Sequence, residues 1–202
     1  MLGFAIAAPV GPIGILCIRR TLAHGMASGL ATGTGAAFAD AFYGAVAAFG
    51  LTVISDFLIN YKTPMQFLGG VFLVYLGVKT FLQKPRENSG KDEEKGRRSV
   101  RQLAAELGST FLLTVANPAT IISFVGFFTG LGLLSGAAPP AYSDSALMVA
   151  GVFIGSFAWW CILSGGIAAV RHGLGPKAIR VANLLSAAII GGFGVLALVS
   201  LI

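Results

Sequence analysis

One carboxylate stands in the middle of an apolar run: Asp40, within GTGAAFADAFYGAVAAFGL. A charge at the centre of a bilayer costs roughly 2.5–3.5 kcal/mol even on the mildest scale, so it persists only where it faces protein or a water-filled cavity. There it can carry a proton, pair with an ammonium group or bind a cation. The alternative is a purely structural hydrogen bond to a neighbouring helix, for which Tyr43 and Asn117 are the candidate partners. Gly29, Gly33, Ala36, Ala37, Asp40 and Gly44 recur at helical spacing as one stripe of small residues. Phe38, Phe42 and Phe49 lie off that stripe. The pattern predicts that Asp40 faces the protein interior and that these phenylalanines face lipid.

Prolines form the second constellation. Pro9 and Pro12 occur in APVGP, and Pro118 follows Asn117 in a later apolar run. Each proline removes a backbone donor and frees a carbonyl, so a helix kinks or unwinds there. Freed backbone groups at membrane depth are tolerated only against protein or a water-lined cavity. The N-termini of broken helices carry partial positive charge and can receive a carboxylate, while Asp40 can pair an ammonium. The set Gly11, Pro12, Asp40, Asn117 and Pro118 therefore suits a zwitterion, although a metal cation would use Asp40 equally well. Trp160 can stack on a cationic group, whereas Trp159 reads as packing. Gly126-x₃-Gly130 and Gly151-x₃-Gly155 read as helix-packing spacings.

Other chemistry has little to stand on. No HExxH, Walker-type or GxSxG pattern occurs, so neither an enzyme nor a cofactor or metal site is predicted. His24 and His172 fall in basic loops and read as solvated. Cys17 and Cys161 both lie within apolar runs, so no disulfide framework is implied.

Composition says what must hold these residues. Of 202 residues 55% are hydrophobic and 11% charged, with a mean hydropathy of +0.83. A soluble domain carries about 25% charged residues, so a soluble enzyme and a disordered chain are both excluded. The net charge of +6 does not indicate a nucleic-acid binder, because long apolar runs separate the basic residues. About 20 apolar residues span a bilayer, and six stretches qualify: Leu2–Ile18, Gly29–Ile54, Met65–Leu82, Leu107–Leu134, Ala146–Val170 and Val181–Ile202. They are continuously apolar rather than alternating, which predicts helices and not a barrel. The fold class expected is an all-α integral membrane protein of six transmembrane helices, helices 1 and 4 being broken at proline.

Charge also orients the chain. Eleven of its 22 charged residues fall between Lys84 and Arg101, which reads as a solvated loop. Arg19 and Arg20 fall between spans 1 and 2, Lys79 at the end of span 3 before that loop, which holds seven more Lys and Arg, and Arg171, Lys177 and Arg180 between spans 5 and 6. Thirteen of the 14 basic residues thus share one side, leaving Lys62 on the other. The positive-inside rule puts loop 84–101 in the cytoplasm and both termini outside. No secretory signal peptide is read at the start.

An internal repeat underlies the six spans. Gly11-Pro12 matches Asn117-Pro118, and Gly35 through Asp40 can be laid on Gly155 through Trp160. Gln66, Gly69 and Gly77 pair with Asn183, Ser186 and Gly194 at constant spacing. Three spans per copy oblige the second to run in the opposite orientation, a common plan of secondary transporters. The expected organisation is a three-helix repeat at 1–83, the charged loop at 84–101 and a second repeat at 102–202. Glycine stripes leave room for a homodimer.

Taken together, these residues resemble the LysE-type amino-acid exporter family, also called RhtB. The resemblance runs through PVGPIGILCIRRTLAHGMASGL, GTGAAFADAFYGAVAAFGL, LGGVFLVYLGVKTF, FLLTVANPATIISF and GSFAWW, in that order. It implies a multi-pass secondary exporter in the bacterial inner membrane, releasing amino acids or related small metabolites by proton antiport. It further implies that Gly11, Pro12, Asp40, Asn117 and Pro118 line the central site; on the exporter reading Tyr43 and Trp160 are expected as further substrate contacts and Asp40 as the proton-coupling group. The chain departs from the family at Ala119, where many members carry a basic or polar residue after Asn-Pro. Its short segment before the proline motif leads us to expect an upstream start codon. Partners on this reading are the small-molecule substrate, protons and membrane lipids, and no nucleic acid. The competing expectations are a divalent metal exporter of the same wider superfamily and a membrane thiol–electron carrier using Cys17 and Cys161.

Overall fold

The structure, a computed structural model, describes residues 2–8, 11–49, 61–82, 99–117, 120, 123–124, 142–171, 173 and 175–201. Among these residues there are seven helices and no strand: α1 (Leu2–Ala7), α2 (Pro12–His24), α3 (Met26–Ala48), α4 (Lys62–Leu82), α5 (Val100–Val115), α6 (Tyr142–Arg171) and α7 (Pro176–Val199). Pro118, Ala119, His172, the loop at 84–98 and most of the fourth predicted span after Asn117 lie outside the described residues.

Among the described residues three helices are long and apolar enough to cross a membrane: Thr63–Leu82, Tyr142–Arg171 and Arg180–Val199. They correspond to predicted spans 3, 5 and 6. Helix α3 has 23 residues, but its glycines, threonines and Asp40 make it less apolar. The first predicted span falls on two shorter elements, α1 and α2, with Gly11 capping α2 and Pro12 at its first turn. Proline belongs there, where its missing N–H would have no helical acceptor and its fixed φ suits the turn.

Helix ends differ from the hydropathy boundaries because capping, and not apolarity, sets them. Helix α2 runs on past Ile18 to His24, so Arg19 and Arg20 are helical and buried, which corrects their assignment to a loop between spans. Gly25 makes the reversal into α3 at φ 91°, a left-handed conformation that side chains other than glycine resist. Helix α5 starts at Val100 through a capping box in which Ser99 Oγ accepts from Gln102 N and Gln102 Oε1 accepts from Ser99 N. Likewise Arg171 ends α6, and Lys177 and Arg180 lie within α7.

Packing follows small residues. Helix α3 lies between α6 and α5, α1 also packs on α6, and α4 pairs with α7. A Cβ at Gly33 would collide with Trp160, one at Gly29 with Thr21 and Ser164, and one at Gly35 with the backbone of Leu107. The predicted stripe is buried from Gly29 to Gly44, and Phe38 and Phe49 are exposed as expected. Phe42 is the exception, half-buried with edge contacts to Tyr43 and Phe111. We expect Gly33→Ala to force α3 away from α6 and to destabilise the fold by about 1–3 kcal/mol, the usual cost of overpacking. Thermal unfolding of the purified variant in detergent checks this; an unchanged midpoint would mean that the two helices are not held at this separation.

Candidate functional site

Asp40 projects from α3 towards α6 and is 4% exposed. The opposing face of α6 carries Ser145, Val152, Ser156, Trp160 and Ser164, all buried, so mostly small hydroxyls meet the stripe of α3. Ser156 Oγ donates to Asp40 Oδ2 at 2.6 Å and accepts from Trp160 Nε1 at 3.1 Å. Trp160 thus reaches the carboxylate through a serine hydroxyl, and the residues of these two helices form one hydrogen-bonded chain. Sequence reasoning did not single out Ser156. Its signal was present, four residues before Trp160 on one face of a helix.

Tyr43, one turn along α3 from Asp40, is buried and turns towards α5. Its hydroxyl donates to the Val115 carbonyl at 2.6 Å, an acceptor left without a partner in its own helix because α5 ends there. Its ring stacks on Phe124 with centroids 5.2 Å apart. Neither Tyr43 nor Asn117 is the hydrogen-bond partner seen for Asp40; Ser156 takes that place.

A cavity of about 380 Å³ lies between α2, α4, α5 and α7. Pro12 and Asn117, one from each proline motif, stand on its wall, together with Gln66 and Ser200. Gly11 is half-buried beside open space. Gly11, Asp40, Tyr43 and Trp160 do not line the cavity. The predicted site residues therefore fall into two groups, a carboxylate cluster at the α3–α6 interface and a cavity beside the ends of α2 and α5. Pro118 lies outside the described residues.

A second polar cluster went unnoticed in the sequence. Arg20 donates through Nη1 to Thr32 Oγ1 at 3.1 Å, to the Glu106 carbonyl at 3.0 Å and to Thr110 Oγ1 at 2.9 Å, and through Nη2 to Ser109 Oγ at 3.1 Å. Ser28 Oγ donates to the Glu106 carboxylate. Arg20 and Glu106 are both buried, so α2, α3 and α5 are joined by hydrogen bonds of a kind that apolar packing does not supply. Glu106 falls between the charged segment, which ends at Arg101, and the fourth predicted span, which starts at Leu107.

Among the described residues no three His, Cys, Asp or Glu side chains come together as metal ligands would. Cys17 and Cys161 are both free thiols. Cys17 lies within 3.4 Å of Ser164 Oγ and 3.6 Å of the Gly29 carbonyl.

Three apolar helices long enough to cross a membrane among the described residues, and a buried carboxylate between α3 and α6, fit a membrane-embedded transporter. The chain belongs to the LysE type translocator family, whose sequence profile matches residues 4–201. It is 29% identical over 184 residues to a Bacillus subtilis (strain 168) protein named "Putative amino acid efflux protein YcgF", covering 89% of this chain and 83% of that one. It is also 25% identical over 178 residues to an Escherichia coli (strain K12) protein, "Uncharacterized membrane protein YahN", covering 87% and 76% of the two chains. No solved structure matches.

Proposed function

We propose that this protein is a secondary exporter of amino acids or closely related metabolites, driven by proton antiport across the bacterial inner membrane. The observation that carries the reading is Asp40, a carboxylate buried between membrane helices and held by a single neutral hydroxyl, Ser156. A carboxyl so placed can exchange a proton for the ammonium group of a substrate, and both exchanges are what antiport requires. Family membership and the efflux name of the Bacillus relative support the substrate class.

Two inverted repeats, 1–83 and 102–202, supply the moving parts on this reading. Helix pairing supports them: α3 packs on α6 and α4 on α7, while α1 lies on α6 as α5 lies on α3. Exchanging the two halves leaves these four pairings unchanged, whereas the contacts of α2 with α3 and α7 have no counterpart of like extent among the described residues. Gly11, Pro12, Asn117 and Pro118 mark the interruptions at which the halves hinge and at which the partial positive charge of a helix N-terminus can receive a substrate carboxylate. Tyr43 and Trp160 border Asp40. Loop 84–101 lies in the cytoplasm and both termini outside.

The test is efflux from proteoliposomes loaded with a mixed amino-acid panel, with and without an imposed pH gradient. Gradient-dependent loss of one or a few amino acids is the expected result. Retention of the whole panel by demonstrably folded protein would remove the amino-acid assignment.

A further inference from the structure

A carrier that opens to each side in turn has two ends that part at different times, and the two ends of this protein are joined by different chemistry. Resting on the exporter reading above, we propose that the buried Arg20–Glu106 cluster is a latch between the two halves. Closed in this structure, it shuts the cytoplasmic side of the way to Asp40, and its parting opens that side.

The cluster draws its members from both halves. Arg20, Ser28 and Thr32 belong to 1–83, and Glu106, Ser109 and Thr110 to 102–202. Arg20 reaches the Glu106 carbonyl, Thr110 and Ser109 across that boundary, and Ser28 Oγ reaches the Glu106 carboxylate. The acceptors are set in advance. Thr32 Oγ1 donates to the Ser28 carbonyl at 2.9 Å, while Ser109 Oγ and Thr110 Oγ1 donate to the Glu106 carbonyl at 3.0 and 2.7 Å. Each hydroxyl gives its proton to its own helix, which leaves lone pairs for the guanidinium. Thr32 precedes Asp40 by eight residues on α3, about 12 Å along the axis. The cluster thus stands between Asp40 and the end of the bundle where a Cβ at Gly25 would meet Arg171 Nη1. That end is the basic side, which the orientation above puts in the cytoplasm.

The repeat assigned above supplies a comparison within one chain. Gly35 abuts α5, where its Cβ would meet the Leu107 carbonyl, and Gly155, its counterpart, abuts α1, where its Cβ would meet Phe4 N. The same spacing pairs Thr32 with Val152 and Thr110 with Phe4. Val152 is buried, and its carbonyl would meet a Cβ at Gly3, so the equivalent contact at the other end is made by apolar side chains and backbone. Hydrogen bonds that join the halves nearer that end, Tyr43 to Val115, Ser145 to Ala48 and Gln66 to Ala197, involve no ionic side chain. Pulling a buried charged cluster apart is strongly unfavourable, whereas apolar helix faces that separate in a bilayer are covered by lipid of like polarity. The halves are therefore latched at the cytoplasmic end and packed at the other.

Cys17 reports on the latch. It is fully buried on α2, three residues before Arg20, with Sγ 3.4 Å from Ser164 Oγ of the other half. The experiment measures its labelling by a membrane-impermeant maleimide in inverted and right-side-out vesicles, with the full-length protein carrying Cys161→Ala. Thr110→Val and Ser28→Ala each remove one hydrogen bond of the latch, and Ser145→Ala removes one at the other end as a control. In inverted vesicles the two latch variants should raise the labelling rate by about ten-fold or more, the factor by which losing one hydrogen bond to a charged group shifts a two-state equilibrium. Ser145→Ala should leave the rate where it was. Unchanged labelling in both latch variants, with gel filtration showing folded protein, overturns the latch. A rise that is equal from both faces, or that Ser145→Ala shares, overturns it too, because the helices are then loosened throughout. Labelling needs no substrate, so either failure leaves the exporter standing. Retention of the whole amino-acid panel would remove the exporter reading and would not move the labelling.

Discussion

Asp40→Asn should reduce gradient-driven efflux by about 100-fold or more, the lower range for removing a positioned proton-transfer group, while the protein still folds. Asparagine keeps the volume, and its amide oxygen can still accept from Ser156 Oγ, so the α3–α6 contact survives. What it loses is the capacity to take up and release a proton and the negative charge that balances an ammonium. Circular dichroism and gel filtration establish folding, and proteoliposome efflux with an imposed pH gradient reads the function. Wild-type efflux from this variant would remove Asp40 from the mechanism. Ser156→Ala should act more mildly. It deletes one hydrogen bond to the carboxylate, worth about 1.5–3 kcal/mol when a charged partner is involved, and leaves Trp160 Nε1 without its acceptor.

Arg20→Met should destabilise the protein by about 3–5 kcal/mol, as breaking a buried charge cluster by removing one member does. Four hydrogen bonds vanish, and the Thr32, Ser109 and Thr110 hydroxyls and the Glu106 carbonyl lose a donor in a buried setting. The Glu106 carboxylate, held by Ser28, stays behind in the same buried cluster. For a chain of this length the melting midpoint in detergent should fall by roughly 10 °C. Arg20→Lys should recover only part of this, because a single ammonium cannot present the planar fork that reaches Ser109 as well as Thr32 and Thr110. Glu106→Gln should be milder still, since an amide oxygen can accept from Ser28. A midpoint for Arg20→Met within about 2 °C of wild type, less than 1 kcal/mol at this chain length, would show that the cluster does not hold α2, α3 and α5 together.

Helix identity was legible in the chain wherever it depended on local apolarity. The predicted spans 3, 5 and 6 appear as α4, α6 and α7, and the glycine–alanine stripe that turns Asp40 inwards is buried as its spacing required. Helix ends were less legible. Hydropathy stops counting where charges begin, whereas a helix stops where a cap intervenes, here Gly25 after α2 and Ser99 before α5. That difference placed Arg19 and Arg20 in a loop and left Glu106 beside one.

The sequence by itself determined that this is a helical membrane protein, that one acid is buried in mid-helix, and which family the chain resembles. These follow from transfer free energy and helical period, which are properties of the residues and their near neighbours. Only the tertiary structure decided the partners. Ser156 and not Tyr43 or Asn117 holds Asp40, although 116 residues separate the two in the chain. Pro12 and Asn117 share a cavity wall that Asp40 does not reach. Arg20 meets Thr110 across 90 residues. A buried polar group must find a partner, but which one depends on how glycines let the helices approach and on which faces then meet. Residue type and spacing along one chain do not contain that information; the packed arrangement does.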